Sequence, residues 1–357
     1  MITSVRELAR LAKVSKSTVS LALKNSPRLA PSTRERIQRL AREQGYRSDP
    51  VVVTLMNQLR VSRKVRDLEK LAYLTFDSRR EPLDANGFAY FEGASQRATH
   101  LGYELEKFWG KEPDLTHSRL SKILHARGIR GVVIGPLSMP RGHISLDWQY
   151  FAAATMTDTI TKPDLHRSVH YHYRSTILAI RRLKRHGYRR IGYVNLTAQD
   201  DLSDNAWLAA CMANNYRRSH EPVPPLLLEN WTKSAFREYL AQYRPDAIIS
   251  NSLEPLEMLH DLRISVPDEV GYARLDLATE NAPYSGIDQL PRQIGAAAVD
   301  LVVSQLQNGE FGLPSNPKTH MISGIWRDGP TTRTSPVEPP PTRSSRSSKK
   351  MAIKAAK

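Results

Sequence analysis

Between Leu71 and Gln307 the chain alternates short apolar segments with amphipathic ones, in two consecutive series. Apolar strands that alternate with amphipathic helices build parallel sheets with right-handed crossovers. The first series ends near Met156, and the second begins near Ser175. Two series in succession predict two α/β lobes, with a cleft outside the carboxyl ends of the strands. A chain of 357 residues is long enough for both lobes and a small additional domain.

Positive charge is concentrated at the two ends of the chain. The net charge is +16, and residues 1–70 hold 16 Lys and Arg against 6 Asp and Glu. Residues 331–357 hold 7 basic residues and one acidic residue, whereas residues 71–330 hold 29 of each kind. A neutral core between two cationic ends is typical of a protein that binds a polyanion. The tail at 331–357 is also rich in Pro, Ser and Thr, so we expect it to be disordered.

Composition and motifs exclude several classes of protein. Cys211 is the only cysteine, so an intrachain disulfide is impossible and a reducing compartment is expected. No apolar run approaches the ~18 residues of a membrane span, and the N-terminus lacks the pattern of a secretory signal. No phosphate loop, nucleophile elbow or zinc-protease motif is present, so we expect no enzymatic activity and no cofactor. The expected location is the cytoplasm, with no membrane partner.

The first sixty residues predict a small all-α domain. Residues 4–7 have the form of a helix-capping box, and an apolar helical face follows them. Residues 13–15 form a turn, and Ser15 can cap a second helix at residues 16–24. That second helix turns a polar and basic face outward, as contact with phosphates and base edges requires. A third helix is predicted at residues 31–44.

Three runs within this domain have the sequence and spacing of a known headpiece. They are Val5-Arg6-Glu7-Leu8-Ala9, then Val14-Ser15-Lys16-Ser17-Thr18-Val19-Ser20, then Ser32-Thr33-Arg34-Glu35-Arg36-Ile37 followed by Gly45-Tyr46. Together they resemble the DNA-binding headpiece of the lactose-repressor (LacI) family of bacterial transcription regulators. A helix-turn-helix pattern alone is weak evidence, but the combination of the three runs is specific to this family.

Further motifs extend the resemblance over residues 3–332. They include Leu101-Gly102-Tyr103-Glu104-Leu105, Arg127-Gly128-Ile129-Arg130-Gly131-Val132 and Val266-Pro267-Asp268-Glu269-Val270-Gly271. The resemblance implies an all-α helix-turn-helix headpiece followed by an α/β two-lobed, periplasmic-binding-protein-like core of parallel sheets. It also implies that the chain crosses between the lobes three times.

The resemblance and the composition together predict four segments. The helix-turn-helix domain is expected at residues 1–48, a hinge helix and linker at 49–70, a core for effector binding and dimerisation at 71–330, and the disordered tail at 331–357. Within the core, the N lobe is expected at about 71–168 and 290–317. The C lobe is expected at about 169–289 and 318–330.

The resemblance implies a homodimeric, sequence-specific regulator, a repressor, that binds a near-palindromic double-stranded DNA operator in the nucleoid. Lys16 is predicted to contact a guanine, and Ser17 to make a weaker polar contact. Leu21 lies where many relatives carry a base-reading arginine, so contact with a thymine methyl is predicted. The other predicted DNA contacts, mainly to phosphates, are Ser15, Thr18, Ser20, Asn25, Thr33 and Arg34.

Residues 49–60 predict a helix of marginal stability. Asp49 suits an N-cap and Pro50 a first helical turn, but three valines and a threonine follow, and β-branched residues make a poor isolated helix. In the family, this hinge helix folds in the minor groove and inserts a leucine between base steps. Leu55 falls at that position, where an apolar wedge would kink the duplex. The alternative interpretation is a flexible linker at 61–70 preceded by a helix docked on the core.

Several charged residues that line the cleft of sugar- and purine-binding relatives are replaced in this chain. Asn251, for example, is followed by serine rather than aspartate. Because carboxylates and arginines hold sugar hydroxyls or anionic groups, their loss argues against a typical simple sugar as the small-molecule effector. Aromatic and polar side chains remain that suit a flatter or more apolar ligand. The candidate cleft residues are Tyr171, His172, Trp207, Asn251 and Asp276.

Other interpretations remain open. His166, His170 and His172 suggest a metal site, and the last two would share a face if they lay on one strand, but the neighbouring sequence offers no full ligand set. No metal is therefore expected. The alternative functions are an effector-independent DNA-binding regulator with a vestigial cleft, a solute-binding receptor, and an enzyme that uses the cleft.

Overall fold

The computed structural model of this chain describes residues 4–23, 29–46, 68–76, 85–138, 142–218, 222–277 and 282–334. The predicted hinge helix with Leu55, the predicted DNA contact Asn25 and the tail beyond residue 334 lie outside the described residues. None of the described helices is long and apolar enough to cross a membrane.

Three helices form the N-terminal domain: α1 (Val5–Ala12), α2 (Lys16–Leu23) and α3 (Pro31–Glu43). Each helix contributes apolar side chains to one small core, in which Leu8, Val19 and Ile37 are fully buried. The capping signal at the start of α1 is confirmed, because Ser4 Oγ accepts a hydrogen bond from the Glu7 N–H at 3.2 Å. Burial of one face of each helix holds together elements that are too short to be stable alone.

A six-stranded parallel sheet forms the first lobe. Its strands are β1 (Glu69–Thr75), β2 (Tyr103–Trp109), β3 (Gly131–Ile134), β5 (Ala152–Met156), β7 (His166–His170) and β13 (Thr319–Ile322). They lie in the order β13-β7-β5-β3-β1-β2. Helices α4 (Ala85–His100) and α11 (Pro291–Asn308) cover one face, and α5 (His117–Ala126) covers the other. The short strands β4 (Gly142–His143) and β6 (Ile160–Lys162) pair beside the sheet.

The second lobe repeats this plan with one antiparallel strand. Its strands are β8 (Ile191–Leu196), β9 (Leu226–Leu228), β10 (Ala247–Ser250), β11 (Gly271–Arg274), β12 (Ser285–Asp288) and β14 (Ile325–Arg327). They lie in the order β14-β12-β11-β10-β8-β9, and only the β12–β14 pair among these neighbours is antiparallel. The helices are α6 (His172–Arg185), the short α7 (Thr197–Asp201), α8 (Ala206–Arg218), α9 (Lys233–Tyr243) and α10 (Glu254–Asp261). The predicted two-lobed α/β core is confirmed.

The chain crosses between the lobes three times, and each crossing starts at the carboxyl edge of a parallel strand. The crossings lead from β7 to α6, from β12 to α11 and from β13 to β14. Because β14 is antiparallel to β12, its first residue also lies at the carboxyl edge of the second sheet. The carboxyl edges of the two sheets therefore face each other, which is where open α/β sheets bind ligands.

The third crossing changes the predicted division of the lobes. Residues 318–330 were assigned to the C lobe from the sequence, but Thr319–Ile322 pair with Arg167–His170 in the first sheet. The assignment of residues 169 and 170 to the C lobe is wrong for the same reason, since β7 ends at His170. These edge pairings are long-range contacts, and the local sequence pattern does not reveal them.

Two glycines bring α4 and α11 into close contact over the first sheet. A Cβ atom on Gly93 would lie 2.0 Å from the Arg292 carbonyl oxygen, and one on Gly295 would lie 2.1 Å from the Tyr90 carbonyl oxygen. Both obstacles are backbone atoms, so neither helix has room for a side chain at these positions. Ile294 and Ala298, on either side of Gly295, are fully buried against the sheet.

Candidate nucleic-acid interface and interlobe cleft

The start of α2 presents the polar face that the sequence predicts. Ser15, Lys16 and Ser17 are exposed, whereas Val19 on the opposite face is fully buried. Burial of Val19 against the other two helices fixes the rotation of α2 about its axis. The side chains of Lys16 and Ser17 are therefore directed away from the domain core.

A small network of hydroxyl groups caps α2. Ser15 Oγ accepts a hydrogen bond from the Thr18 N–H at 3.0 Å, which confirms the predicted cap. The same oxygen lies 2.6 Å from Ser17 Oγ and 2.8 Å from Thr18 Oγ1. The N-terminus of a helix carries partial positive charge and unpaired N–H groups, so it attracts anions such as phosphate. Lys16 adds a full positive charge at this end.

The other predicted contact residues lie on α2 and at the start of α3. Ser20 and Leu21 are half-buried on α2. Thr33 and Arg34, in the first turn of α3, are also half-buried. All the predicted contacts that the structure describes are therefore at least partly accessible to solvent.

Two side chains of α3 form hydrogen bonds, not predicted from the sequence, with the ends of the other helices. The Arg36 guanidinium donates from Nη1 and Nη2 to the Ala12 carbonyl, both at 3.2 Å. The Gln38 side-chain amide donates to the Ala22 carbonyl at 2.9 Å. These carbonyls are at the C-terminal ends of α1 and α2, where backbone oxygens lack helical partners. Long polar side chains within α3 could have suggested such contacts, but not their partners.

In the core, the candidate cleft residues lie at or near the facing carboxyl edges, but they differ in role. Tyr171 is in the first crossing, where its N–H donates to the Ile322 carbonyl at 2.8 Å. Asn251 follows β10 directly, and Asp276 follows β11 by two residues. Trp207 is 4 % exposed and belongs to the apolar core of the second lobe, so its indole mainly packs.

The condition for a shared strand face is not met at His170 and His172. His170 ends β7 and His172 begins α6. Their rings are nevertheless edge to face at 4.9 Å between centroids, and the His172 ring makes a similar contact with Trp207 at 4.9 Å. Because His172 contacts a buried indole, it links the first crossing to the core of the second lobe. No group of three or more His, Cys, Asp or Glu suited to a metal ion occurs within the described ranges.

Burial keeps both histidines in the neutral form. Burial lowers the pKa of His170 to about 4. The Gln289 carbonyl and the Asp288 carboxylate favour the charged form and oppose this shift, but their effect is smaller. Burial, with a smaller effect of the neighbouring His170, also lowers the pKa of His172 well below its ordinary value. Protonation of either imidazole in the crossing would therefore place a positive charge where water cannot solvate it.

The stability of the core is expected to fall as the pH is lowered from about 6.5 to about 4. In this window the unfolded chain binds a proton at His170, whereas the folded chain does so only near pH 4. The contribution of His170 to stability is therefore complete above pH 6.5 and is lost as the pH falls, by about 2 kcal/mol between pH 7 and pH 5. Urea unfolding at the two pH values measures this loss. His170→Phe should reduce the pH dependence by that amount. The control His143→Gln, which changes an exposed histidine on β4, should keep the loss that His170 causes. Equal pH dependence in the two variants would contradict the role of His170.

Behind Asn251, the second lobe contains a buried polar network that was not among the candidate residues. The Tyr193 hydroxyl donates to Asp200 Oδ1 at 2.6 Å, and the Asn195 amide donates to the Tyr193 oxygen at 3.0 Å. Asn195 and Asp200 are fully buried. The sequence signal is an asparagine near the end of an otherwise apolar strand. Its partner Tyr193 lies on the same strand, and Asp200 comes from helix α7.

Comparisons with known proteins agree with this architecture. The family model described as bacterial regulatory proteins, lacI family, matches residues 4–49, and the model described as periplasmic binding protein-like domain matches residues 180–327. Together the two models cover more than half of the chain. A search of curated proteins found no match.

Solved structures resemble most of the chain at low sequence identity. A transcriptional regulator CelR–cellobiose complex is 18% identical, with a TM-score of 0.53, over 92% of this chain and 99% of that one. A lac repressor dimer bound to operator and an anti-inducer is 17% identical, with a TM-score of 0.51, over 94% and 100%. A LacI transcriptional regulator from a Rhodococcus species is 15% identical, with a TM-score of 0.53, over 74% and 98%. At these identities the structures support the fold.

Proposed function

Because this chain belongs to the lacI family of bacterial regulatory proteins, we propose that it is a homodimeric repressor whose DNA binding is modulated by a small molecule. The family consists of DNA-binding transcription regulators, and this chain is one of them. Two headpieces related by two-fold symmetry would bind the half-sites of a near-palindromic operator. Binding of this DNA would keep the protein at the nucleoid, in the cytoplasm.

The observation that carries the proposal is the exposed, capped and basic start of α2 on a packed three-helix domain. Lys16 and Ser17 are exposed at the positive end of the helix dipole, and Val19 holds their face outward. A helix presented in this way fits the major groove. We assign Lys16 to a guanine, Ser17 to a weaker polar contact and Leu21 to a thymine methyl.

The phosphate contacts would flank this helix. Ser15 and Thr18 bring hydroxyl groups to the capped N-terminus of α2, and Thr33 and Arg34 lie at the N-terminus of α3. Two helix N-termini and their hydroxyl groups suit two phosphates of the DNA backbone. Ser20 would contribute a further phosphate contact from α2, and Asn25 and Leu55 remain predictions for residues outside the described ranges.

The cleft supports modulation by a ligand through its geometry. The carboxyl edges of both sheets face each other, and three crossings join them. A ligand that contacts both edges favours the closed arrangement of the lobes. It changes DNA affinity if the lobes are arranged differently in the DNA-bound and DNA-free states of the protein. Tyr171, His172, Asn251 and Asp276 are the proposed ligand-facing residues, with Trp207 packed behind His172.

Lys16→Ala is expected to weaken binding to the specific DNA site by about 1–3 kcal/mol and to relax the preference at one base position. The reason is the loss of a charged donor that reads a base edge in the major groove. Sites selected from a random DNA library by the wild-type protein and by the variant, with affinities measured by fluorescence anisotropy, test both effects.

Lys122→Ala is the matched control, since it removes an exposed lysine from the core helix α5 and should leave site preference intact. Equal losses of affinity for the selected site and for random DNA in Lys16→Ala would show that Lys16 contacts phosphate. Selection of no preferred site by the wild-type protein would contradict the proposed function.

A further inference from the structure

Four hydrogen-bond acceptors without donors lie at the carboxyl edge of the second sheet, on strand β8, on helix α7 and directly after strand β10. Within the described residues, Asn195 Oδ1, Gln199 Oε1, Asp200 Oδ2 and Asn251 Oδ1 are buried and make no hydrogen bond. A buried acceptor left without a donor costs about 1–3 kcal/mol. Four such atoms in neighbouring elements indicate a region suited to a group that brings donors.

The orientation of the Asn195 amide follows from the network behind it. The Tyr193 hydroxyl has one hydrogen, and at 2.6 Å it goes to Asp200 Oδ1. The Tyr193 oxygen can then only accept, so the Asn195 side chain must turn its N–H group toward it, at 3.0 Å. Asn195 Oδ1 consequently faces away from the tyrosine, and Asn195 itself is fully buried.

These acceptors lie on the edge that faces the first lobe. In the parallel register, Ile249 pairs with Tyr193, so that Asn251 comes level with Asn195 just beyond the paired residues. Both asparagines therefore lie on the same face of the sheet and at the same end. Arg274, which pairs with Ser250, lies on the opposite face. Its guanidinium is thus directed away from the acceptors and does not neutralise them.

Carboxylates of both lobes add negative charge to this cleft. Asp158 follows β5 at the edge of the first sheet. Burial raises the pKa of its carboxyl, and so does the charge of Asp204 in the second lobe. The Arg167 guanidinium, whose Nη1 lies 3.7 Å from Asp158 Oδ1, lowers that pKa. Like charges that face each other oppose closure of the lobes. Thr157 and Asp204 hold left-handed backbone conformations, with φ of 61° and 51°, which are common at ligand-binding sites.

We propose that the ligand of this cleft is an organic cation that binds through an ammonium or guanidinium group, received by Asn195, Asp200 and Asn251. This inference rests on the proposed ligand-modulated function and specifies the ligand class. A cationic nitrogen group supplies several N–H donors and no acceptor, which matches four unpaired oxygens. Its charge also offsets the repulsion between Asp158 and Asp204. A neutral sugar brings as many acceptors as donors and no charge.

Thermal-shift and calorimetric titrations of the full chain test the ligand class. The cationic probes are putrescine, spermidine and agmatine; the comparison compounds are glucose, cellobiose and citrate, all at matched ionic strength. At least one of the three cations is expected to raise the melting temperature of the core. Glucose, cellobiose and citrate are expected to leave it unchanged. Asp200→Asn, which keeps the shape of the side chain and removes its charge, should weaken that cation's affinity at least tenfold.

One control variant and one further test variant separate binding at this edge from general charge effects. Asp261→Asn removes an exposed carboxylate that pairs with Lys233 at 2.6 Å, and it should leave cation affinity unchanged. Asp204→Asn changes an exposed residue whose left-handed conformation asparagine tolerates, so it should fold and bind the cation several-fold more weakly.

The pH dependence supplies a further readout. Burial raises the pKa of the Asp200 carboxyl above its ordinary value, against the hydrogen bond from Tyr193. Because a cation binds the charged carboxylate better, affinity should fall as the pH is lowered toward that raised pKa. This fall should be smaller in Asp200→Asn than in the wild-type protein or in Asp261→Asn.

The outcomes distinguish the ligand class from the proposed function. Binding of glucose, cellobiose or citrate but of no cation would overturn the ligand class and leave a ligand-modulated regulator intact. If Asp200→Asn and Asp204→Asn bound the cation as tightly as the wild-type protein does, the assigned site would be wrong. A cation that binds as described without changing DNA affinity would uphold the inference and contradict the modulation. A complete absence of binding would count against both.

Discussion

Replacement of Ile37 by alanine is expected to abolish specific DNA binding while leaving the two-lobed core folded. Ile37 is fully buried among the side chains that join α1, α2 and α3. Truncation of a buried isoleucine costs about 2–5 kcal/mol, and a domain of this size has little stability to lose. The outward presentation of Lys16 depends on that core. Loss of the core should therefore remove the DNA-reading helix without any change in its sequence.

Leu11→Ala is the matched control for Ile37→Ala. It also shortens a branched apolar side chain in the headpiece, but Leu11 is 44% exposed, so its truncation leaves no cavity. Fluorescence anisotropy with the selected DNA site measures binding, and thermal unfolding of the core serves as the internal reference. If Ile37→Ala bound the site as tightly as Leu11→Ala, the buried headpiece core would not be what positions α2.

Gly295→Val is expected to destabilise the first lobe by about 3 kcal/mol or more. The new side chain would begin 2.1 Å from the Tyr90 carbonyl oxygen, and this backbone atom cannot turn aside as a side chain could. Helices α4 and α11 would have to separate, which would expose apolar surface of the first-lobe core. Urea unfolding of the full chain should show a lower midpoint for this variant than for the wild-type protein.

Ala296→Val serves as the control for Gly295→Val, because it introduces the same side chain at the next, half-buried position of α11. It should change the urea midpoint much less. Similar midpoints for the two variants would indicate that α4 and α11 can shift without cost, so that the close approach at Gly93 and Gly295 would not determine how the lobe packs.

The short core strands follow from local signals in the sequence. Leu226–Leu228 and Ala247–Ser250 are mainly apolar runs bounded by polar or turn residues, which predicts strands with these limits, and the structure has strands there. Helix ends were less accurate. The amphipathic pattern predicts a helix from Gly93, but α4 begins at Ala85, and it predicts a helix from Ser175, but α6 begins at His172. Helix starts depend on contacts as well as on composition.

Strands at the lobe crossings were harder to predict from the sequence. β7 and β13 have histidines, serine and threonine among their residues, so they lack a clear apolar run. They become strands because each pairs with a neighbour far away in the chain, as Thr319 does with Arg167. Such pairing depends on the complete sheet. The same limit explains why part of the predicted C lobe belongs to the first one.

The sequence by itself determined that the protein has a helical DNA-binding domain and a two-lobed α/β core, because motif spacing and the alternation of apolar periods are local properties of the chain. Only the tertiary structure decided which polar groups meet. It brings His172 of α6 beside Trp207 of α8, and it places Asn195 level with Asn251 at the edge that faces the other lobe. Contacts between residues distant in sequence follow from strand register and lobe crossing, and for this reason they set the chemistry of the cleft.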